Sequence, residues 1–313
     1  MLPFAAAGRK EMRYWFRLMD EAGMVTMTIR NVMVIGAGQM GSGIAQTLAQ
    51  SGLQVTLYDI ETAAVNQGIS SIGANLSRLV AKGKMTEEQR ELLLTKIAVS
   101  TDLESAEHAE LVIEAAPEQM DTKKMLFRRL DQICRPNTIL ATNTSSLSIT
   151  DIAAATKRPQ LVIGMHFMNP VPVMPLVEII RGLATSDETL DSIQTLALTL
   201  GKTPVEVHDF PGFVSNRILM PMINEAIYTV YEGVAEPEAV DQVMRLGMKH
   251  PMGPLSLADF IGLDTCLAIM ETLHDGFGDS KYRPCPLLRK YVQAGWLGRK
   301  SGRGFYIYEK GRG

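Results

Sequence analysis

His166 and Glu178 are the two side chains whose spacing best suits acid–base chemistry. His166 lies near the end of the apolar run LVIGMHF, and Glu178 lies in the next run, VPVMPLVEII, after a proline-bounded turn at residues 169–172. If these runs form adjacent strands, cross-strand Cβ atoms are roughly 5 Å apart, so the two side chains can meet. A buried carboxylate facing a histidine fixes the ring tautomer and stabilises the protonated ring, as general-base oxidation of an alcohol requires. The alternative is a pair with a structural role only.

Further polar residues follow other apolar runs. Glu118 comes after LVIEAAP, residues 143–146 come after TILAT, and Asn169 comes shortly after His166. In an open parallel sheet, ligands bind beyond the carboxyl ends of the strands, so we expect these side chains to line a site. For Ser145 and Ser146 the alternative is that one of them caps a helix beginning near residue 148.

Residues 36–41, GAGQMG, form a GxGxxG motif that predicts a dinucleotide site. Within it, Gly36, Gly38, Gln39, Met40 and Gly41 are the residues expected to bind the cofactor. It follows the apolar run NVMVI and opens the helical run SGIAQTLAQ, where bare glycine backbone lets a pyrophosphate approach a helix N-terminus. The alternative is a tight strand-to-helix turn that binds nothing.

Asp59 ends the next predicted strand, QVTLYD. This is about the distance at which the dinucleotide-binding fold places the carboxylate that binds the adenosine ribose. An acidic group there repels a 2′-phosphate, so the sequence predicts NAD, although it leaves the ratio of NAD to NADP use open. FAD is the rival cofactor, but the sequence carries no second nucleotide motif and no flavin-sized insertion.

Short apolar runs alternate with helical stretches from residue 31 to about residue 180, which is typical of βαβ units and a parallel sheet. The predicted strands are 31–35, 54–58, 111–114, 138–141, 161–166 and 176–180. The predicted helices are 42–51, 62–81, 86–95, 120–133 and 187–200. This order predicts an α/β protein whose N-terminal domain is a Rossmann-type doubly wound sheet.

The second half of the chain predicts an all-helical domain. Residues 205–212 are predicted as a strand and linker, and Pro211 and Gly212 mark the boundary. The next apolar residues recur at helical spacing around Pro221, which should kink their helix. Further helices are predicted at 237–246, 254–273 and 286–294. We therefore expect an extension outside the fold at 1–26, an NAD-binding domain at 27–210, and a helical C-terminal domain at 211–313.

Composition excludes several classes of function. A hydrophobic fraction of 46% with 21% charged residues is typical of a globular protein, and the sequence shows no transmembrane stretch. A net charge of −3 leaves no positive excess for a nucleic-acid partner. The three cysteines are widely spaced and the histidines form no HExxH motif, so no disulfide framework or metal site is predicted. A reducing cytoplasm is the expected compartment, with no membrane partner.

The chain resembles the L-3-hydroxyacyl-CoA dehydrogenase family, and within it the bacterial 3-hydroxybutyryl-CoA dehydrogenases, over nearly all of residues 27–308. The resemblance rests on ordered motifs: VIGAGQMGSGIA, NTSSLSIT, GMHFMNPVPVMPLVEII, PGFVSNRIL, HPMGPL and AGWLGRKSGRGFY. It implies hydride transfer between NAD(H) and C3 of a short-chain 3-hydroxyacyl-CoA, in butyrate or fatty-acid metabolism. It also implies a homodimer formed through the helical domain.

The resemblance also implies roles for individual residues. It makes His166 the general base, paired with Glu178, and it places Ser145 and Asn216 near the reacting carbon of the substrate. Positions that approach the cofactor in relatives match Glu118, Lys123, Ser145, Asn169 and Lys300, and basic positions near the CoA phosphates match Arg78 and Lys82. From the residues alone, Asn216 could be an ordinary polar residue at a helix start, and Arg78 and Lys82 a solvated helix end. The chain departs from its relatives at Ser215, where an apolar residue is common.

Two other functions remain as alternatives at the level of sequence. One is a two-domain dehydrogenase of a free hydroxy acid such as gulonate, and the other is a non-enzymatic protein of the lens-crystallin kind, because a fold does not fix a function. Turnover of an acyl-CoA rather than a free acid separates the first alternative, and oxidation of NADH in the presence of acetoacetyl-CoA separates the second.

Overall fold

The sequence forms an eight-stranded sheet followed by a set of packed helices. The computed structural model describes residues 29–308, so the extension predicted at 1–26 lies outside the described residues. The strands are β1 (Asn31–Ile35), β2 (Gln54–Tyr58), β3 (Ile97–Ser100), β4 (Leu111–Glu114), β5 (Ile139–Thr142), β6 (Val162–Phe167), β7 (Leu176–Arg181) and β8 (Thr203–His208). The sequence prediction missed β3, a short edge strand whose middle residues are exposed.

The strand order is β3-β2-β1-β4-β5-β6-β7-β8, with the chain reversing its direction of travel across the sheet at β1. This is the order of a doubly wound sheet, as predicted. Every neighbouring pair is parallel except β6 and β7, which are antiparallel. Parallel neighbours need a crossover of a dozen or more residues, and the connection at 168–175 is too short for one. The Lys202 ammonium holds this connection by donating to the carbonyl oxygens of Val171 (2.6 Å) and Met174 (2.8 Å).

Helices cover both faces of the sheet. They are α1 (Gln39–Gln50), α2 (Thr62–Ala81), α3 (Glu87–Leu94), α4 (Met120–Ile133), α5 (Ile149–Ala153) and α6 (Asp187–Thr199). In α2 the buried positions Val65, Ile72 and Leu76 recur at helical spacing, so one stripe of the helix joins the core with α1 and the sheet. A second core on the opposite face packs Phe127 and Leu130 of α4 against the strands.

The C-terminal part consists of α7 (Ser215–Tyr231), α8 (Pro237–Gly247), α9 (Pro254–Ile261), α10 (Leu263–Phe277) and α11 (Pro286–Gln293), around a separate core. The single helix predicted at 254–273 is wrong, because the chain breaks it into α9 and α10 at Gly262. The φ of Gly262 is +104°, which a right-handed helix does not accommodate. α7 continues as one helix through Pro221, and the kink expected there remains a prediction. No helix within residues 29–308 is long and apolar enough to cross a membrane.

Two buried aspartates hold the C-terminal segment on the helices. Asp259 accepts the backbone N–H groups of Phe305 and Tyr306, each at 3.0 Å. Asp241 accepts the hydroxyls of Ser256 (2.6 Å) and Tyr306 (2.9 Å). Asp241 also accepts the backbone N–H of Leu255 at 2.8 Å. Through Leu255, Phe305 and Tyr306, these contacts make the motifs HPMGPL and SGRGFY part of the framework of the helical domain.

Candidate active site

The glycine motif forms the turn between β1 and α1, and its glycines serve different purposes. Gly36 has φ +98°, and a Cβ on Gly41 would lie 1.7 Å from the Gly36 carbonyl oxygen, so the protein's own packing requires both. A Cβ on Gly38 would meet no atom of residues 29–308 within 4 Å, apart from its two chain neighbours. Gln39 and Met40 begin α1, earlier than the predicted start at residue 42. The open space at Gly38, beside a helix N-terminus, fits the pyrophosphate of NAD.

Asp59 follows β2 and contacts the turn between β1 and α1. Its Oδ2 accepts the backbone N–H of Ala37 at 2.8 Å, and its Oδ1 accepts the N–H of Glu61 at 3.2 Å. The carboxylate is therefore held beside the glycine loop, in a half-buried position. Its contact with a ribose remains a prediction.

A cleft of about 370 Å³ lies next to the glycine loop. One wall is the polar face of α2, with Gln67, Ser71 and Asn75, and the other includes Asn169, whose Oδ1 accepts the Gln39 amide at 3.1 Å. Arg78 is exposed at the end of α2 and donates to Asn75 at 3.0 Å, so its guanidinium stands beside the cleft. Lys82 is also exposed, immediately after α2.

His166 and Glu178 face each other across β6 and β7. They are register partners, and His166 Nδ1 lies 2.8 Å from Glu178 Oε2. Because an ionised carboxylate can only accept, Nδ1 carries the hydrogen and Nε2 has the lone pair. Among the described residues Nε2 has no hydrogen-bond partner, so it is available to a substrate hydroxyl. The Phe213 ring packs 5.9 Å from the imidazole, centre to centre, and limits its movement.

Glu178 is 2% exposed and remains the ionised partner. Burial alone would raise its pKa, but the hydrogen bonds from His166 and Ser215 outweigh burial and hold the pKa of Glu178 below its ordinary value. A permanently charged carboxylate can therefore orient the ring and stabilise the protonated ring throughout the neutral range.

Glu118 accepts hydrogen bonds from the loop that follows β5. Its Oε1 lies within hydrogen-bond distance of the Thr144 hydroxyl (2.6 Å), the Ser145 N–H (2.9 Å) and hydroxyl (3.2 Å), and the Ser146 N–H and hydroxyl (each 3.1 Å). Burial opposes ionisation, but the Lys123 ammonium and these donors outweigh it, so the pKa of Glu118 is lowered. Ser145 is therefore not a helix cap. That role belongs to Ser148, which caps α5.

Lys123 lies beneath this loop rather than on its surface, at 1% exposure. Its ammonium is 2.6 Å from Glu114 Oε1 and 3.5 Å from Glu118 Oε2. The sequence reasoning missed Glu114, which is fully buried at the end of β4 and also accepts the Thr142 hydroxyl at 2.6 Å. An acidic residue inside the apolar run LVIE was the signal that could have identified it.

Asn216 connects the helical domain to the loop after β5. Its Nδ2 donates to the Ser145 carbonyl oxygen at 2.9 Å, so these two predicted substrate contacts lie side by side. The side chain of Asn143 accepts the Phe167 N–H at 2.9 Å and thereby fixes the same loop next to the end of β6, one residue beyond His166.

Lys300 contacts a different part of the molecule from the residues described above. Its ammonium lies 2.6 Å from Asp264 Oδ2, within the helical domain. The structure does not bring Lys300 into contact with the glycine loop or with the His166–Glu178 pair, and its approach to the cofactor remains a prediction.

The comparisons with known proteins agree over both domains. Residues 31–210 match the family model described as 3-hydroxyacyl-CoA dehydrogenase, NAD binding domain, and residues 212–308 match the model of its C-terminal domain. A probable 3-hydroxybutyryl-CoA dehydrogenase of Bacillus subtilis (strain 168) is 66% identical over 284 residues, covering 91% of this chain and 99% of the relative. A probable 3-hydroxybutyryl-CoA dehydrogenase of Deinococcus radiodurans is 60% identical over 275 residues, covering 88% and 99% respectively.

A solved structure has the same arrangement. The (S)-3-hydroxybutyryl-CoA dehydrogenase of Ralstonia eutropha superposes with a TM-score of 0.88 at 52% identity, and the match covers 90% of this chain and 100% of that one.

Proposed function

This chain belongs to the 3-hydroxyacyl-CoA dehydrogenase family, and from that membership we propose that its natural substrates are (S)-3-hydroxybutyryl-CoA and acetoacetyl-CoA. Membership makes the chain an NAD-dependent oxidoreductase that acts at C3 of a 3-hydroxyacyl-CoA. The short acyl chain is supported by the names of relatives at 60% and 66% identity. We also propose butyrate or fatty-acid metabolism as its setting and the cytoplasm as its compartment.

The observation that carries the mechanism is the 2.8 Å contact between His166 and Glu178. In oxidation, His166 Nε2 takes the proton of the C3 hydroxyl, and Glu178 stabilises the protonated ring that results. Bound NAD⁺ supplies the acceptor for the hydride that leaves C3. In reduction, the protonated ring returns its proton to the C3 oxygen. We assign Ser145 and Asn216 to hydrogen bonds with the substrate near C3. The assignment is supported by the contact of Asn216 with Ser145 and by the contact of the neighbouring Ser215 with Glu178.

Binding of the CoA moiety is assigned to the α2 side of the cleft next to the glycine loop, where Arg78 and Lys82 would face its phosphates. Ser145 is assigned to the thioester end of the substrate. The exposure of both basic side chains and the polar wall of α2 support this assignment. Binding energy from the distant CoA can orient the reacting carbon, so the thioester handle matters although it does not react. Glu118, Lys123 and Asn169 are assigned to the cofactor side of the site, Lys123 acting through Glu118.

The proposed substrate is tested by comparing kcat/KM for NADH-dependent reduction of 3-oxoacyl-CoAs of increasing chain length, with free acetoacetate as the control. We expect the highest value with acetoacetyl-CoA and a graded decline with length, since each methylene changes binding in an apolar pocket by only about 1 to 3 kcal/mol. A maximum at long chains would contradict the short-chain assignment. Efficient turnover of free acetoacetate would favour a dehydrogenase of free acids instead.

We also propose that residues 27–210 bind NAD, that residues 211–313 complete the substrate site, and that residues 1–26 are dispensable. A chain beginning at Met27 should reduce acetoacetyl-CoA with the kcat of the full chain. If the shortened chain folds but fails to bind NADH, this division is wrong.

A further inference from the structure

Among the described residues, most of the hydrogen bonds that the Glu178 carboxylate accepts come from the start of α7, in the helical domain. Oε1 accepts the backbone N–H groups of Ser215 (2.9 Å) and Val214 (3.3 Å), and Oε2 accepts the Ser215 hydroxyl (2.8 Å). The remaining bond comes from His166 Nδ1, which also lies on Oε2 at 2.8 Å. A carboxylate offers about four acceptor positions, so this one is fully used.

The Ser215 hydroxyl is the part of this arrangement that depends on residue type. Any residue except proline would supply the N–H group at 215, but only serine or threonine places an O–H group on Oε2. Oε2 is also the oxygen that accepts the hydrogen bond from the imidazole. The Ser215 hydroxyl therefore draws negative charge away from the oxygen that stabilises the ring. At a carboxylate that is 2% exposed, no bulk solvent competes with this contact.

We propose that Ser215 is a positioning residue, which sets the geometry and charge of the Glu178–His166 pair from the helical domain. The proposal rests on the function proposed above, in which His166 is the base. The neighbouring Asn216 donates to the Ser145 carbonyl oxygen at 2.9 Å, so consecutive residues of α7 hold two separate parts of the site. Docking of α7 on the sheet therefore completes the base and the substrate loop together.

The residues next to Glu178 determine whether a change at Ser215 can be measured as a shift in pH dependence. On β6 the opposing residue is His166, and on β8 the residue in register is the uncharged Val205. On α7 the nearest charged side chain, Arg217, turns away and stacks on the Phe277 ring at 4.5 Å. Among the described residues, His166 is thus the titratable side chain that Glu178 contacts, so a pH effect of changing Ser215 reports on this pair.

The experiment compares Ser215→Ala, Ser215→Thr and wild type in the oxidation of 3-hydroxybutyryl-CoA as a function of pH. Without the hydroxyl, the hydrogen bond from the imidazole is the one that Oε2 still accepts, so the carboxylate stabilises the protonated ring more strongly. Ser215→Ala should therefore move the acidic limb of the kcat/KM profile to higher pH by ~0.5 unit. We expect its kcat to fall about 3- to 30-fold, a fraction of what a hydrogen bond to a charged group can contribute. Ser215→Thr should restore the wild-type limb.

Ser256→Ala is the matched control, because it removes a serine hydroxyl from a buried carboxylate elsewhere in the helical domain, 2.6 Å from Asp241. It should lower the unfolding temperature and leave the pH profile unchanged. If Ser215→Ala does not fold, Ser215→Cys takes its place, since a thiol is a weaker donor at the same position. An unshifted limb with kcat within twofold of wild type would overturn the proposal, as would a Thr variant that behaves like the Ala variant.

A second readout needs no substrate. The pH midpoint of the His166 ring signals in the NMR spectrum, identified by their loss in His166→Gln, should rise in Ser215→Ala and not in Ser256→Ala. If His166→Gln retains its activity, the proposed function fails while this titration still tests Ser215. If His166→Gln is inactive and the titration does not move, only the role of Ser215 fails.

Discussion

At the scale of single residues, hydrogen-bond donors keep Glu178 and Glu118 in the charged form, although Glu178 is enclosed by protein and the Glu118 side chain is only 37% exposed. Glu178 and Glu118 are both surrounded by donors, and for each the pKa is lowered because these donors outweigh burial. Glu114 is fully buried and has the Lys123 ammonium at 2.6 Å. Removing one partner of such a buried ion pair leaves an uncompensated buried charge and strongly destabilises the fold. Glu114 and Lys123 therefore constrain each other.

Glu178→Gln should lower kcat less than loss of the histidine does, because the amide can still orient the ring. The neutral amide stabilises the protonated ring less than the carboxylate does. The free base therefore persists to lower pH, and the acidic limb of the oxidation profile should move downward, opposite to the shift expected for Ser215→Ala. The measurement is kcat/KM against pH. A limb that stays in place would show that the Glu178 charge does not act on His166.

Asp59 should determine the choice of cofactor through its charge. Asp59→Asn keeps an oxygen that can accept the Ala37 N–H, whereas Asp59→Ala loses it, so the pair of variants separates charge from loop structure. We expect Asp59→Asn to reduce the ratio of kcat/KM for NADH over NADPH about tenfold or more, since the repulsion of a 2′-phosphate is relieved. A wild-type enzyme that already prefers NADPH would refute this role.

At the scale of elements, different glycines of the turn between β1 and α1 serve folding and ligand binding. Gly41 is required by the approach of α1 to the Gly36 carbonyl, whereas Gly38 faces open space. The first requirement concerns folding and the second concerns the ligand.

Gly38→Ala and Gly41→Ala should therefore fail in different ways. Gly38→Ala should unfold at the wild-type temperature but bind NADH at least about tenfold more weakly, because its methyl group occupies the space that the pyrophosphate needs. Gly41→Ala should unfold at a lower temperature, since its Cβ would lie 1.7 Å from a carbonyl oxygen. Thermal melting and NADH titration of both variants test this, and equal NADH binding by Gly38→Ala and wild type would rule out the proposed ligand position.

Much of this organisation was predictable, because local patterns specify it. The predicted bounds of β1, β2, β4, α2 and α4 are those of the structure, since buried positions and polar flanks mark their ends. The break at Gly262 was not predictable from periodicity, because the apolar residues continue at helical spacing on both sides of it. Nor could spacing reveal that Ser215 would lie on Glu178, which depends on how the two domains pack.

At the scale of the whole molecule, the site is completed by contacts between the sheet and the helices. Ser215 and Asn216 of α7 reach Glu178 and the Ser145 loop, so neither domain contains all of the proposed machinery. The helical domain also has apolar side chains on its surface, including Val243 (61% exposed) and Leu246 (71% exposed) on α8. Large exposed apolar residues close together are typical of an interaction surface.

We expect a homodimer that uses this surface of the helical domain. Sedimentation at micromolar concentration should give the mass of a dimer for wild type and of a monomer for Val243→Glu/Leu246→Glu. The control is Leu183→Glu, which adds charge at a residue that is 90% exposed on the sheet domain and should leave the dimer intact. A wild-type monomer would refute the proposal.

The central claim is that His166 is the base that moves the proton at C3. Its most direct test is the kcat of His166→Gln for reduction of acetoacetyl-CoA by NADH, measured at saturating substrate on a variant that melts like wild type. A positioned general base contributes about a hundred- to ten-thousand-fold, so kcat should fall by that factor while NADH still binds. A kcat close to that of wild type would contradict the mechanism.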